Sequence, residues 1–184
     1  MQTFALDRKS IKVKSLTALA AVILAVALPQ VFHAVGAISG MGNALGATFL
    51  PMHLPVLVAG LLAGPVVGLA VGGVSPLISF ALSGMPALVM LPFMMIELAG
   101  YGLAAGLLAK AKMPVFVKLL IAQVAGRLVR AAAILFSIYA LGNTALGVAQ
   151  VWNVVLTGLP GILLQWAIIP LLLYRLDGMK QHAA

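Results

Sequence analysis

The sequence predicts an all-α integral membrane protein with six transmembrane helices and both termini in the cytoplasm. Three observations carry that expectation. Hydrophobic residues make up 64% of the 184-residue chain and charged residues only 8%, a balance far from that of soluble domains. Across residues 50–108 the only Asp, Glu, Lys, Arg or His side chains are His53 and Glu97, and at ~1.5 Å of rise per helical residue such a stretch crosses a ~30 Å hydrocarbon layer two or three times. The Lys and Arg residues, finally, sit beside apolar runs in the way that marks cytoplasmic loops.

The formal charge of +8 is therefore read as membrane topology, and nucleic-acid binding is not expected. Absence of cysteine excludes disulfides and thiolate metal sites. The length leaves no room for a soluble domain, so residues 1–184 are expected to form a single membrane domain embedded in the lipid bilayer.

The first fourteen residues carry Arg8, Lys9, Lys12 and Lys14 against Asp7 alone and are expected to stay in the cytoplasm. An apolar run over 13–32 follows. A basic start and an apolar stretch also describe a signal peptide, but no small-x-small cleavage site follows Pro29, and an uncleaved first helix is the reading adopted. Residues 34–48 hold Gly36, Gly40, Gly42 and Gly46 and no charge, which suggests an external loop that partly re-enters the protein. Spans at 49–64 and 66–83 reverse at Gly64-Pro65, because proline disfavours helix at the residue before it. Gly60, Gly64, Gly68 and Gly72 recur every four residues, a spacing that lets helix backbones approach closely in lipid, here as a tightly packed hairpin. Ser75, Ser79 and Ser83 form a second stripe, which either lines a cavity or bonds back to its own helix carbonyls.

After Gly84-Met85-Pro86 a fourth span is expected over 87–108. Lys110, Lys112 and Lys118 mark a cytoplasmic loop, a fifth span covers 115–141, and Gly142-Asn143-Thr144 begins an uncharged outer loop. The sixth span covers 151–174, with Arg175, Asp177 and Lys180 beyond it. Nine of the eleven Lys and Arg residues then fall on one side, and the three outer loops contain none. An odd number of spans would place a terminal basic cluster outside.

An ionisable side chain at bilayer depth costs at least a few kcal/mol unless it has a partner, so Glu97, Arg127 and Arg130 are the principal candidates for a site. Gln123, Arg127 and Arg130 share one helical face at i, i+4, i+7, and Tyr101 lies one turn from Glu97. One reading is a structural ion pair between Glu97 and Arg127, which leaves Arg130 without a counter-charge. The other is a polar site in which two cations and one carboxylate favour an anionic or strongly polar ligand. His53, between Pro51 and Pro55, is expected at the mouth of a cavity. Trp152 and Tyr174 fit interfacial anchoring.

The chain has no G-x-x-x-x-G-K-[ST], no H-E-x-x-H, no G-x-S-x-G and no cysteine nucleophile, so neither an ATPase nor an enzyme is expected. His33, His53 and His182 are too scattered for a metal site. No cofactor is expected.

LPMHLPVLVAGLLAGP (50–65), SPLISFALSGMP (75–86), IELAGYGLAAGLL (96–108) and AGRLVR (125–130) together resemble the substrate-binding S components of energy-coupling factor (ECF) vitamin transporters. The resemblance covers most of the chain and is less specific for the vitamin than for the family. It implies a six-helix protein of a prokaryotic plasma membrane that captures a micronutrient from outside, closed over by the loop between the first two helices. It also implies partners: a membrane coupling (T) subunit and two cytoplasmic ATPases. Ala21 and Ala25 match the family's Ala-x-x-x-Ala pattern, used against the coupling subunit.

For the ligand, the residue inventory permits a ranking. Arg127 and Arg130 suit a carboxylate or phosphate-like group and Glu97 a hydroxyl or amide donor. His53, Ser79, Tyr101, Asn153 and Trp152 would complete a mixed polar and stacking surface. A pantothenate-like or other polar, anionic compound fits first, and a pyridoxine-like or hydroxymethylpyrimidine-like ring next. Thiamine, a permanent cation, fits less well beside two arginines. The rival reading is a self-sufficient proton-coupled secondary transporter with Glu97 as relay, although no repeat relates the two halves of the chain.

Overall fold

A computed structural model describes the backbone of residues 8–182 and the side chains of residues 11–176. Asp7 lies outside the described backbone, and the side chains of Arg8, Lys9, Asp177, Lys180 and His182 lie outside the described residues. Within these limits the chain is entirely helical: α1 (Arg8–Ile38), α2 (Ala44–Phe49), α3 (His53–Ala63), α4 (Pro65–Ser83), α5 (Leu91–Leu108), α6 (Val115–Tyr139), α7 (Ala149–Thr157) and α8 (Leu159–His182). Six stretches are long and apolar enough to cross a membrane: Ile11–Ile38, Ala44–Ala63, Pro65–Ser83, Leu91–Leu108, Val115–Tyr139 and Leu159–Leu176.

The departures from expectation have local causes. α1 runs on past Pro29 to Ile38, so the expected re-entrant loop shrinks to a turn before α2. The second span is two helices joined at Leu50, which adopts a left-handed conformation with φ 49°. Pro51 disfavours the right-handed helical region at the preceding residue, and the left-handed alternative costs a non-glycine residue about 1–2 kcal/mol. The expected sixth span is also divided. Residues 149–157 form α7 as a separate short helix, and the span proper begins at Leu159.

α5 is the central helix, packed against α3, α4 and α6. Glycine makes this possible. A Cβ at Gly68 would overlap the Gly102 carbonyl, and one at Gly72 the Leu98 carbonyl. In turn, a Cβ at Gly102 would overlap the Gly68 carbonyl, and one at Gly106 the backbone of Pro65. The glycine stripe expected to close the hairpin of α3 on α4 thus serves chiefly to bring both against α5. Leu57, Val71, Leu98, Tyr101, Leu119 and Ile169 fill the core between the helices.

Outside that core the surface is apolar. Leu16, Leu19, Ile23, Val66, Leu107, Leu128, Phe136 and Leu163 are all exposed, far more than a water-facing surface tolerates in one molecule and what a lipid-facing one requires. Ala21 and Ala25 are not on this surface. Both are buried in the chain's own core with Val56 and Leu57, because small side chains let α1 approach α3. Within the chain the pair thus packs α1 against α3, and the outward face of α1 carries Leu16, Leu19, Ile23 and Leu24.

The bundle has two unlike ends. Lys110, Lys112 and Lys118 gather near the α5–α6 connection, at the end where α8 passes Arg175. The α1–α2, α4–α5 and α6–α7 connections, at the opposite end, contain no Asp, Glu, Lys or Arg.

Candidate substrate-binding site

A cavity of about 340 Å³ opens at the charge-free end, between α1, α2, the start of α3, α4, the α4–α5 connection and α7. Its volume lies in the range of small-molecule sites. Met52, Met85, Met90 and Met94 provide much of the wall, and His33, Asn43, His53, Ser79, Arg130, Asn153 and Thr157 provide the polar groups.

Beneath the cavity lies an ionic cluster centred on Glu97, whose side chain is fully buried. Arg127 Nη1 stands 2.9 Å from Glu97 Oε1, and Arg130 Nη1 stands 2.5 Å from Oε2. The expectation that a Glu97–Arg127 pair would leave Arg130 without a counter-charge is thus overturned. A carboxylate has two oxygens, and residues three apart on α6 present one guanidinium to each. Tyr101 Oη, one turn along α5, donates to Glu97 Oε1 at 3.1 Å.

His53 is buried on the cavity floor, its Nε2 3.8 Å from Glu97 Oε1 and its ring centroid 5.2 Å from that of Tyr101. It was expected at the cavity mouth. The left-handed turn at Leu50 carries α3 inward and takes His53 with it.

One carboxylate facing two guanidiniums leaves an excess positive charge in a water-poor setting. Several buried polar atoms also lack hydrogen-bond partners within the protein: the donors Arg127 Nε and Nη2 and Arg130 Nε, and both ring nitrogens of His53, one a donor and one an acceptor in the neutral ring. Buried groups of this kind are few in native proteins and mark places where a polar partner is favoured.

The nominated residues divide cleanly. His53, Ser79, Arg130 and Asn153 line the cavity. Glu97, Arg127 and Tyr101 are behind its wall, with Arg127 Nη2 packed close to Gly158 at the α7–α8 break. Trp152 is 67% exposed on α7 and is not among the lining residues, so a stacking role for it gains nothing from this geometry. The serine stripe also divides. Ser75 and Ser83 donate to the carbonyls of Val71 and Ser79 in their own helix, whereas Ser79 faces the cavity. Gln30 of α1 donates to both Ser79 and Ser83, at 3.3 and 3.0 Å, tying α1 to α4 at the rim.

Sequence reasoning missed the methionines, although Met90, which caps α5, and Met94, Glu97 and Tyr101 within it fall at i, i+4, i+7 and i+11 on one helical face. It also missed Gln165, the only amide side chain between Leu159 and Leu176.

Fold and cavity together describe a multi-pass membrane protein with a pocket of small-molecule size at one end of its bundle. The model of the family described as "ECF transporter, substrate-specific component" matches residues 16–173, and the chain belongs to that family. Comparison with curated proteins and with solved structures gave no match.

Proposed function

We propose that this chain captures a small water-soluble vitamin or vitamin precursor for an ATP-driven importer. The observation that carries the reading is a cavity of ligand size whose one lining cation, Arg130, is held in place by Glu97 beneath it. A guanidinium fixed in this way loses little freedom when it meets an anion, so its charge-assisted hydrogen bonds go into affinity. Transport in this reading requires a membrane coupling subunit and two cytoplasmic ATPases, since the chain has no phosphate-binding loop of its own.

In this reading the positive-inside rule assigns the basic end to the cytoplasm, with both termini inside and the cavity outside, and the family membership supports a prokaryotic plasma membrane. A pantothenate-like or other anionic compound with hydroxyl or amide groups suits the excess positive charge, the unpaired Arg130 Nε and the unpartnered ring nitrogens of His53. A pyridoxine-like or hydroxymethylpyrimidine-like ring is favoured by a different feature, the four methionines of the wall, because thioethers pack well against aromatic rings.

A self-sufficient proton-coupled transporter fits less well. Both oxygens of Glu97 are engaged by arginines, and a proton relay needs a carboxylate free to exchange with water on each side in turn. Uptake into liposomes separates the two. The chain alone is expected to bind radiolabelled pantothenate or pyridoxine without accumulating either under a proton gradient, and accumulation by the chain alone would overturn the importer-subunit reading.

A further inference from the structure

The amide of Gln165 is buried deep in α8, and its partners form a chain of fixed direction. Trp166 Nε1 donates to Gln123 Oε1 at 2.7 Å. An indole N–H can only donate, so Gln123 must turn its oxygen towards Trp166 and its NH2 towards the neighbouring Gln165 of the same helix. That NH2 donates to Gln165 Oε1 at 2.9 Å, which leaves the Gln165 NH2 pointing at the Leu50 carbonyl, 3.5 Å away.

The Leu50 carbonyl is a sensitive place to hold. It also accepts from the His53 backbone N–H at 3.1 Å, so it sets where α3 begins and where the His53 side chain enters the cavity floor. The turn rests on α8 as well. A Cβ at Gly161 would press on the backbone of Thr48 and Phe49, and one at Gly158 on the Leu50 side chain. Gly158, Gly161 and Gln165, at i, i+3 and i+7, thus form one seat for residues 48–50. Gln123, for its part, lies one turn from Arg127 on the same face of α6.

We propose that Gln165 is a positioning residue: with Gln123 it pins the left-handed turn at Leu50 to α8 and thereby sets His53 and Met52 in register with the arginines of α6. The proposal rests on the reading of the cavity as the ligand site, but its mechanical part is tested without any ligand. Hydrogen–deuterium exchange in detergent micelles would compare the parent protein with Gln165→Leu and Gln123→Leu. In both variants the amides of residues 48–54 are expected to exchange at least about tenfold faster, with the 168–174 segment of α8 and the 115–120 segment of α6 unchanged.

The spectroscopic counterpart is the methyl-13C signal of Met52, which should move while that of Met113, at the other end of the bundle, stays. Should Gln165→Leu fail to fold, Gln165→Asn keeps the amide but is one methylene too short to reach both partners, and the same local effect is expected. Unchanged exchange at 48–54 would overturn the proposal. So would an equal rise across α6 and α8, which would make the amides a general helix tie. Failure of every vitamin to bind would remove the ligand-site reading and leave the exchange result standing.

Discussion

Arg127 and Arg130 share one carboxylate but sit on different sides of it. Only Arg130 reaches the cavity wall, where its Nη2 lies 3.9 Å from the Met90 sulfur. Arg127 backs Glu97 and packs beneath the α7–α8 break. Losing Arg130 should therefore weaken binding by about 10- to 100-fold, the equivalent of one or two charge-assisted hydrogen bonds. Arg127→Ala is expected to show its larger effect in thermal unfolding. The most damaging single change in the cluster should be Glu97→Gln, which leaves two buried guanidiniums facing a neutral amide. It is expected to cost about 3–5 kcal/mol, measurable by denaturant unfolding in micelles.

These roles were only half legible in the sequence. The i, i+4, i+7 face of Gln123, Arg127 and Arg130 pointed to a polar stripe, and the rarity of charge at bilayer depth picked out Glu97. Which oxygen each arginine takes, and which arginine meets the cavity, depends on the crossing of α5 and α6, and no single-helix pattern encodes that.

Between the helices, glycine sets the distances. α4 and α5 touch backbone to backbone through Gly68, Gly72 and Gly102, an approach that brings Glu97 under the cavity formed by α2, α3 and α4. Gly102→Ala should force these helices apart and cost at least about 1–3 kcal/mol. Gly73→Ala, with nothing within 4 Å of the new methyl group, should be neutral or stabilising by up to about 1 kcal/mol through helix propensity. Thermal melting of the two variants checks the contrast.

Apolar run length located the helices well wherever the chain was regular. It failed where a span broke. The left-handed turn at Leu50 and the division at Gly158 are held by contacts between α2 and α8, more than a hundred residues apart in sequence, and local propensity carries no trace of them. The alanine pair of α1 illustrates a related limit. Small residues mark close packing, but whether the neighbour is α3 or another subunit is decided only by the fold.

Across the bilayer, the asymmetry of charge is the strongest guide to orientation. The absence of native cysteine makes it simple to test, because a single introduced thiol is the sole label site. In intact cells Thr144→Cys should react with a membrane-impermeant maleimide, and Ala111→Cys should react only after permeabilisation. The reverse pattern would put the cavity on the cytoplasmic side and remove the basis for capture from outside.

Capture itself is tested most directly by calorimetric titration of the purified protein with a panel of water-soluble vitamins and their precursors, repeated on Arg130→Ala and Lys112→Ala. One compound should bind tightly to the parent and to Lys112→Ala, and about 10- to 100-fold more weakly to Arg130→Ala. Binding of that compound to Arg130→Ala with parental affinity, or no binding by any member of the panel, would contradict the site.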